Sequence, residues 1–244
     1  MFREEFIDLN RFANLKWQEK FAINSKPEPN PYYLGFGNPN ADILIIGQEM
    51  AIDPIKKPEA LEMESFRNTE HWNHIIEEKI TDPDYSFSGK NGFKNPRRPY
   101  TGKAKGTWKS YEDIIQKSTG QKFEKNLEFF EHCFITEINT AVSKRQKGYL
   151  NSEERNSIIT HEFYKSFSTV ILATGSYLRK KEINELFEVH HSVNDSASKP
   201  YKRLEVYYSQ NKKRTLINTR QLSNFRFTAE ERNEYFQRIA DKIN

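Results

Sequence analysis

The segment ADILIIGQEMAID, residues 41–53, constrains the fold of this chain more than any other. Its apolar run, residues 43–46, is short and bounded by turn signals, which is typical of a strand buried on both faces of a parallel sheet. Gly47 permits a tight exit from that strand. Gln48 and Glu49 are therefore predicted at its carboxyl end, where open α/β sheets bind their ligands. The alternative is that Glu49 is a surface carboxylate on an ordinary loop.

Three further apolar runs have the same character. They cover residues 133–138, 169–173 and 215–217, and helical patterns separate them along the chain. This alternation predicts an α/β fold, a three-layer α/β/α sandwich around a central, mainly parallel four-stranded sheet. The polar residues that follow the runs are Asn139, Thr174-Gly175-Ser176 and Asn218. Since parallel strands end at one edge of a sheet, these residues are predicted to converge with Glu49 on a single site.

The first forty residues are predicted to pack on this domain rather than to form a domain of their own. Apolar side chains recur at helical spacing over residues 3–21, whereas four prolines make residues 24–40 an irregular arm. Residues 1–40 are thus a helix and a proline-rich arm. Residues 41–244 contain no internal repeat and no second boundary, so they are predicted to form one domain.

Periodicity and capping signals predict the remaining elements. Helices are expected over residues 56–80 in two pieces, from residue 107, and over 123–132, 152–166 and 229–243, with antiparallel strands over 186–192 and 204–209. Asn151 with Glu154 is a capping signal for the helix at 152, and Thr228 with Glu231 for the last helix.

Composition excludes several classes of protein. The 244 residues include one cysteine, Cys133, which excludes an internal disulfide and a multi-cysteine metal site and favours a cytoplasmic location. No window holds 18 uncharged apolar residues, and the acidic N-terminus is unlike a signal peptide, so we expect no membrane association. His71 and His74 lack a third ligand in the sequence around them, which favours surface residues over a metal pair. We expect neither a metal nor a cofactor.

Residues 85–111 form a basic insertion with seven lysines and arginines and no acidic residue. Aromatic residues and glycines are interleaved with these charges. Positive charges attract phosphates and aromatic rings stack on bases, so the insertion is predicted to contact nucleic acid. The predicted contacts are Arg97, Arg98, Lys103 and Lys105. A solvated insertion without a ligand is the alternative.

Five segments, in order over residues 42–228, resemble the motifs of the uracil-DNA glycosylase superfamily. The first, residues 47–51, is similar to the family's G-Q-D-P-Y. The others are residues 108–114, 136–142, 174–181 and 218–226, which are similar to P-S-L-x-N-I, L-L-L-N-T-x-L-T-V, W-G-S-Y-A-Q-K-K and H-P-S-P-L-S-x-Y-R (or N-P-S-G-L-S). The resemblance implies that family's α/β/α fold and hydrolysis of the N-glycosidic bond of a base flipped out of DNA.

Two catalytic groups follow from the resemblance. Glu49 would orient the attacking water and balance the positive charge that develops on the sugar. Asn218 would hydrogen-bond O2 of the base as negative charge gathers on it.

The base pocket and the DNA contacts follow in the same way. Asn139 carries an adjacent donor and acceptor that match the O4/N3 edge of uracil, although an asparagine is also an ordinary turn residue at a strand end. The other residues placed around the base are Gln48, Ala51 and Phe66, of which Phe66 is the expected stacking ring. Leu222 is the expected wedge in the gap left by the flipped nucleotide. Ser110, Ser176, Ser223 and Arg226 correspond to residues that hold phosphates.

Departures from the family motifs predict a changed substrate. Glu49 replaces an Asp or Asn, Met50 removes a proline, and Thr219-Arg220 replaces Pro-Ser. Ala51 stands where the uracil-strict branch has a tyrosine, so the pocket is expected to admit a larger base. We therefore expect a monomeric DNA glycosylase that removes a uracil-like or modified base from single- or double-stranded DNA. The alternative is a non-catalytic nucleic-acid or nucleobase binding protein that keeps the glycosylase fold.

Overall fold

The computed structural model describes residues 1–21, 25–85, 95–99, 103–125, 127–141, 148–197, 204–222 and 227–243. These residues form a seven-stranded sheet with helices on both faces. The strands are β1 (Phe36–Gly37), β2 (Ile43–Gly47), β3 (Cys133–Glu137), β4 (Thr169–Leu172), β5 (Val189–Ala197), β6 (Leu204–Ser209) and β7 (Thr215–Asn218). Their order across the sheet is β1-β3-β2-β4-β7-β6-β5.

The centre of the sheet is parallel and its margins are antiparallel. The neighbours β3, β2, β4 and β7 all run the same way, with Gly47 opposite Glu137. β1 pairs antiparallel with β3, and β6 pairs antiparallel with both β5 and β7. The α/β class is confirmed. The sheet differs from the expectation, because it has seven strands and is mixed rather than mainly parallel with four.

The additional strands join the sheet through contacts that a sequence pattern does not specify. Periodicity predicts antiparallel strands near β5 and β6 but not the sheet edge that accepts them. A turn at residues 210–213 returns the chain from β6 to β7, and Tyr207 pairs with Leu216, which extends the sheet. β1 has two residues, too few to show a strand period.

Eight α-helices cover the sheet within the described part of the chain. They are α1 (Glu4–Lys20), α2 (Pro58–Leu61), α3 (Asn68–Glu77), α4 (Thr107–Thr119), α5 (Glu153–Ile159), α6 (Glu162–Lys165), α7 (Lys180–Phe187) and α8 (Ala229–Ala240). A π-helical turn, Glu62–Phe66, links α2 to α3, and a 3-10 turn, Glu128–Glu131, precedes β3. As far as the described residues extend, no helix has the length and apolar character needed to cross a bilayer.

Two predicted helices differ from those observed. Over 123–132 the described helical residues are only those of the 3-10 turn, because Leu127 adopts a left-handed backbone that begins a new turn. The predicted helix over 152–166 is divided into α5 and α6. The N-cap of α5 is Ser152, whose side chain accepts a hydrogen bond from the Arg155 backbone N–H, rather than Asn151, which has a left-handed backbone.

Alternate residues of β2 face opposite layers, as a doubly buried strand requires. Leu44 and Ile46 pack among α1, α3, α5, α6 and α7, whereas Ile43 and Ile45 pack with α4, α8 and the 3-10 turn. Burying each of these side chains contributes about 1.5–3 kcal/mol. This two-sided burial fixes β2 in the centre of the sheet, and it places the residues after Gly47 at the carboxyl edge.

The N-terminal segment packs on the sheet through one of these layers. Phe6 of α1 is fully buried, with its ring centroid 4.8 Å from that of Trp72 in α3. Trp72 Nε1 donates to the Gly35 carbonyl at 2.9 Å, and Asn68 Nδ2 donates to the same oxygen at 3.1 Å. These bonds hold the irregular arm against α3, and they bring Tyr33 to the carboxyl edge of β3.

Candidate active site

A cavity of about 310 Å³ lies at the carboxyl ends of β2 and β3. Its volume is at the lower end of the roughly 300–1,000 Å³ of small-molecule pockets. Its walls combine aromatic rings with carboxyl and amide groups, among them Tyr33, Trp108, Tyr111, Gln48, Glu49 and Glu137. The site therefore offers apolar faces to a planar ligand together with groups that can transfer or hold a proton.

Glu49 projects into this cavity with one oxygen bonded and the other not. The Tyr177 hydroxyl donates to Oε1 of Glu49 at 3.2 Å, and the Asn139 side chain also hydrogen-bonds this carboxyl group. Oε2 of Glu49 is buried and has no hydrogen-bond partner among the described residues. Burial raises the pKa of Glu49, while the bonds from Tyr177 and Asn139 act in the opposite direction.

Glu137 is a second carboxyl group in the cavity, and the sequence prediction did not include it. It is the last residue of β3, opposite Gly47 in the parallel register. Its side chain lies across the end of β2, so a Cβ atom at position 47 would overlap Glu137 Oε2. A side chain at position 47 would therefore displace the Glu137 carboxyl group from its present place. An acidic residue inside an otherwise apolar strand was the available sequence signal.

The Glu137 carboxyl group is also incompletely bonded. Its Oε2 is buried, and none of the residues that the structure describes supplies a hydrogen bond to it. Burial, followed by the negative charge of Glu49, raises the pKa of Glu137 to about 8, against the opposing positive charge of Arg155. Burial and the neighbouring carboxylate thus both favour the protonated form of Glu137.

A buried arginine holds the end of β3 in place through hydrogen bonds. The Arg155 guanidinium donates to Thr136 Oγ1 at 2.7 Å and, through Nε, to the Glu137 carbonyl at 3.0 Å. It also donates to the Tyr33 carbonyl. These bonds use the backbone of Glu137 rather than its carboxyl group, so Arg155 fixes the position of the residue while leaving the acid available.

Asn139, the predicted base reader, lies beside Glu49 but is bonded to the protein backbone. Its Nδ2 donates to the Gly148 carbonyl at 2.9 Å, and the Leu150 N–H donates to its Oδ1 at 3.0 Å. The amide thus holds the loop at 148–150 through its oxygen and an N–H, in addition to its hydrogen bond to Glu49. Asn139 is only 1% exposed, and it positions both this loop and the Glu49 carboxyl group.

The structure separates the other predicted catalytic residue from the cavity. Asn218 is on β7, and β4 lies between β7 and β2. Its Nδ2 donates to Glu205 Oε2 at 3.1 Å. The sheet edge thus brings Gln48, Glu49 and Ala51 together but places Asn218 in a different cluster.

Phe66, the predicted stacking ring, is also elsewhere. It is buried against Trp17 and Phe21, with ring centroids 5.4 and 5.1 Å away. Trp108 and Tyr111 of α4 line the cavity instead, in an edge-to-face pair with centroids 5.9 Å apart. Aromatic rings do line the cavity, but they come from α4, which the sequence resemblance assigned to DNA contact.

The predicted wedge and one predicted phosphate contact are buried. Leu222 is 1% exposed and packs among α4, α8 and the sheet. The Ser110 hydroxyl donates to the Leu222 carbonyl at 2.7 Å, which ties α4 to the last loop. Ser176 is exposed. Ser223 and Arg226 lie outside the described residues.

The four cations predicted to contact DNA fall into two sets. Arg97 is buried and paired with Glu131, and Arg98 is paired with Asp84. Lys103 and Lys105 are exposed immediately before α4. Exposed charge near the cavity therefore comes from the lysines rather than from the arginines.

The chain was compared with known proteins by family and by sequence. No protein-family model matches it, and no curated protein matches it.

Proposed function

We propose that this protein hydrolyses the N-glycosidic bond of a base held in the cavity after it has flipped out of DNA. The observation that carries the proposal is the Glu49 carboxyl group at the end of β2. Glu49 lines the cavity, one of its oxygens is oriented by Tyr177, and the other is buried without a partner among the described residues. The resemblance of the strand ends to glycosylase motifs supports the same reaction.

The chemistry of the bond explains why such a carboxylate is needed. As the bond to the base breaks, positive charge develops on the sugar, and a fixed negative charge lowers the energy of that state. The same group can orient and deprotonate the attacking water. Tyr177 holds Oε1 of Glu49, so Oε2 is the oxygen that would bind the water.

Base binding is assigned to the residues that line the cavity. Trp108, which is partly exposed, provides a ring on which a base can stack, a contact worth about 1–3 kcal/mol. Gln48 also lines the cavity. Its Nε2 donates a hydrogen bond to the Thr174 carbonyl at 2.9 Å, which fixes the orientation of the amide. Ala51 adds a small side chain, which leaves room for a base bulkier than uracil.

In this proposal the DNA strand binds along the exposed lysines next to the cavity. Lys103 and Lys105 precede α4, and Lys57 lines the cavity itself. Ile55 is 90% exposed and lies between Ile52 and Lys57 in the chain, both of which line the cavity. An exposed apolar side chain beside a cavity and next to lysines is suited to fill the gap left by a flipped base, the role that the buried Leu222 does not fill in this conformation.

A panel of oligonucleotides, each with one altered base, tests this function. Incubation with the protein followed by alkali should cleave at least one of them at the altered base, because base loss leaves an alkali-labile site. Glu49→Gln is the control and should cleave that oligonucleotide about 10²-fold more slowly or not at all. Absence of cleavage across the whole panel, in single and double strands, would reject glycosylase activity and leave a nucleic-acid binding protein as the alternative.

A further inference from the structure

Two carboxyl groups enter the cavity from adjacent parallel strands. Glu137 ends β3 opposite Gly47, and Glu49 lies two residues beyond Gly47 on the neighbouring chain segment. Both line the cavity, and both have a buried Oε2 without a hydrogen-bond partner in the described part of the protein. The charge of Glu49 acts on Glu137, and two partly buried carboxylates in one cavity repel each other, so a state in which one of the two groups is protonated is favoured.

The surroundings decide which group holds that proton. Tyr177 and Asn139 donate hydrogen bonds to Glu49, and these favour its charged form. Glu137 has no comparable donor to its carboxyl group among the described residues, and burial together with the charge of Glu49 raises its pKa to about 8. Two acids with different surroundings are the usual basis for separate acid and base roles in one site.

The other ionisable groups that face Glu137 do not reverse this assignment. Arg155, on α5, acts to lower the pKa of Glu137 but less strongly than burial and Glu49 act to raise it. Burial raises the pKa of Tyr111, on α4, well above its ordinary value, so its hydroxyl stays neutral. Lys57 and Glu64 line the same cavity from the segment after β2.

We propose that Glu137 is the proton donor of this site and that the base it removes is a purine, protonated on a ring nitrogen as it leaves. This inference depends on the proposed glycosylase function and narrows its substrate class. A purine presents an unsubstituted ring nitrogen, N7, that can accept a proton. The small side chain of Ala51 at the cavity wall leaves room for a two-ring base.

The reaction balances with these two groups and one water. Glu137 gives its proton to N7 while the bond between C1′ and the base nitrogen breaks, so the base departs neutral. The water oxygen then bonds to C1′, and its proton goes to the Glu49 carboxylate. Transfer of that proton from Glu49 to Glu137 across the cavity restores the starting state.

Single-turnover excision from two oligonucleotides tests the proton transfer. One contains hypoxanthine, and the other contains 7-deazahypoxanthine, which has the same shape and the same Watson–Crick edge but no N7. The wild type should release hypoxanthine at least about 10²-fold faster, the contribution expected of a general acid. Its rate should also decrease about tenfold per pH unit above about pH 8, as Glu137 loses its proton.

Variants of Glu137 separate a proton donor from a residue that only shapes the site. Glu137→Gln should excise hypoxanthine about 10²-fold more slowly and lose the alkaline decrease in rate, with unchanged DNA affinity. Glu137→Asp should restore part of the rate together with the alkaline decrease. A thermal melt checks that both variants are folded.

The outcomes distinguish this inference from the function on which it depends. Equal excision of both purines, a wild-type rate in Glu137→Gln, or excision of pyrimidines alone would overturn the role of Glu137 while leaving glycosylase activity standing. Failure of the wild type to release any base would overturn the glycosylase function and this inference with it.

Discussion

Acidic side chains at two places along the sheet differ in how completely the protein hydrogen-bonds them. Glu205, on β6, receives hydrogen bonds from Asn218 at 3.1 Å and from the Tyr207 hydroxyl at 3.1 Å, and it pairs with Lys180 at 3.2 Å. Burial acts to raise the pKa of Glu205, but these partners outweigh burial and lower it. Glu205 is therefore a stable carboxylate whose bonding the protein itself completes.

Glu49 and Glu137 have the opposite surroundings. In both, burial is the largest influence and raises the pKa, and in both a buried Oε2 has no bonding partner within the described residues. A buried polar atom without a partner costs roughly 1–3 kcal/mol. The comparison teaches that burial alone does not mark a reactive acid. The candidates for a catalytic acid are the carboxyl groups that lack a hydrogen-bond partner in the protein, so that a substrate or a water would have to supply it.

The largest expected effect is on catalysis by Glu49. Glutamine keeps the size of the side chain but not its charge, so in Glu49→Gln single-turnover excision should decrease by about 10²-fold or more. DNA affinity should stay level or increase, because the variant no longer repels the phosphates. Glu205→Gln is the matched control, and it should lower the melting temperature with little change in rate. Similar decreases in rate in both variants would remove the distinction between the two sets.

Removing Asn218, which donates a hydrogen bond to Glu205, tests the same distinction between the two sets of acids. Asn218→Ala leaves Glu205 without one of its hydrogen bonds, so the free energy of unfolding should decrease by about 1–3 kcal/mol in urea titrations. The excision rate of the folded protein should change little. The exposed Asn233→Ala on α8 is the control for stability. A large decrease in rate with unchanged stability would instead return Asn218 to the catalytic role that the sequence resemblance implies.

The cations of the basic insertion provide a third, smaller test. Arg97 and Arg98 are paired within the protein, whereas Lys103 and Lys105 are exposed. Replacing both lysines by glutamate should weaken DNA binding for all sequences alike. It should also reduce the slope of log affinity against log salt by about 0.7–0.9 for each phosphate that the protein no longer neutralises. Arg98→Glu should change stability but not this slope, and a slope that depends on Arg98 and not on the lysines would contradict the assignment.

The sequence was sufficient to predict the centre of the sheet and the position of Glu49. Short apolar runs of β-branched residues have few alternatives to a doubly buried strand, so β2, β3, β4 and β7 lie close to their predicted ranges. The turn to polar residues after Gly47 then identified one catalytic candidate. These inferences needed only local patterns and the rule that parallel strands end together.

The sequence was insufficient wherever an outcome depended on a distant partner. Glu137 meets Glu49 because of the register of β3 on β2, which no local pattern states. The amide of Asn139 is occupied by backbone groups of a loop, Gly148 and Leu150, whose path is set by tertiary contacts. Leu222 resembles a wedge by position, yet its environment is the core. The type of a side chain and its position in a motif indicate which chemistry it can perform. Whether it is free to do so depends on the residues that contact it in the folded protein.

A further expected effect concerns the stability of the protein as a function of pH. The unfolded chain releases the Glu137 proton near pH 4.3, whereas the folded protein keeps it until about pH 8. The folded state therefore binds more protons between these values, and wild-type stability should decrease as the pH rises through that interval. Glu137→Gln removes the titrating group.

Thermal melts at two pH values measure this contribution. At about pH 8.5 the melting temperature of Glu137→Gln should exceed that of the wild type by about 2–4 °C for each kcal/mol recovered. At about pH 4.5 the two proteins should differ much less, because wild-type Glu137 is then protonated in the folded state. Glu185→Gln, an exposed substitution on α7, should leave the difference between the two pH values unchanged. The difference in melting temperature between the wild type and Glu137→Gln could instead be the same at both pH values. That result would mean that Glu137 is charged in the folded protein, and the contrast with Glu205 would then disappear.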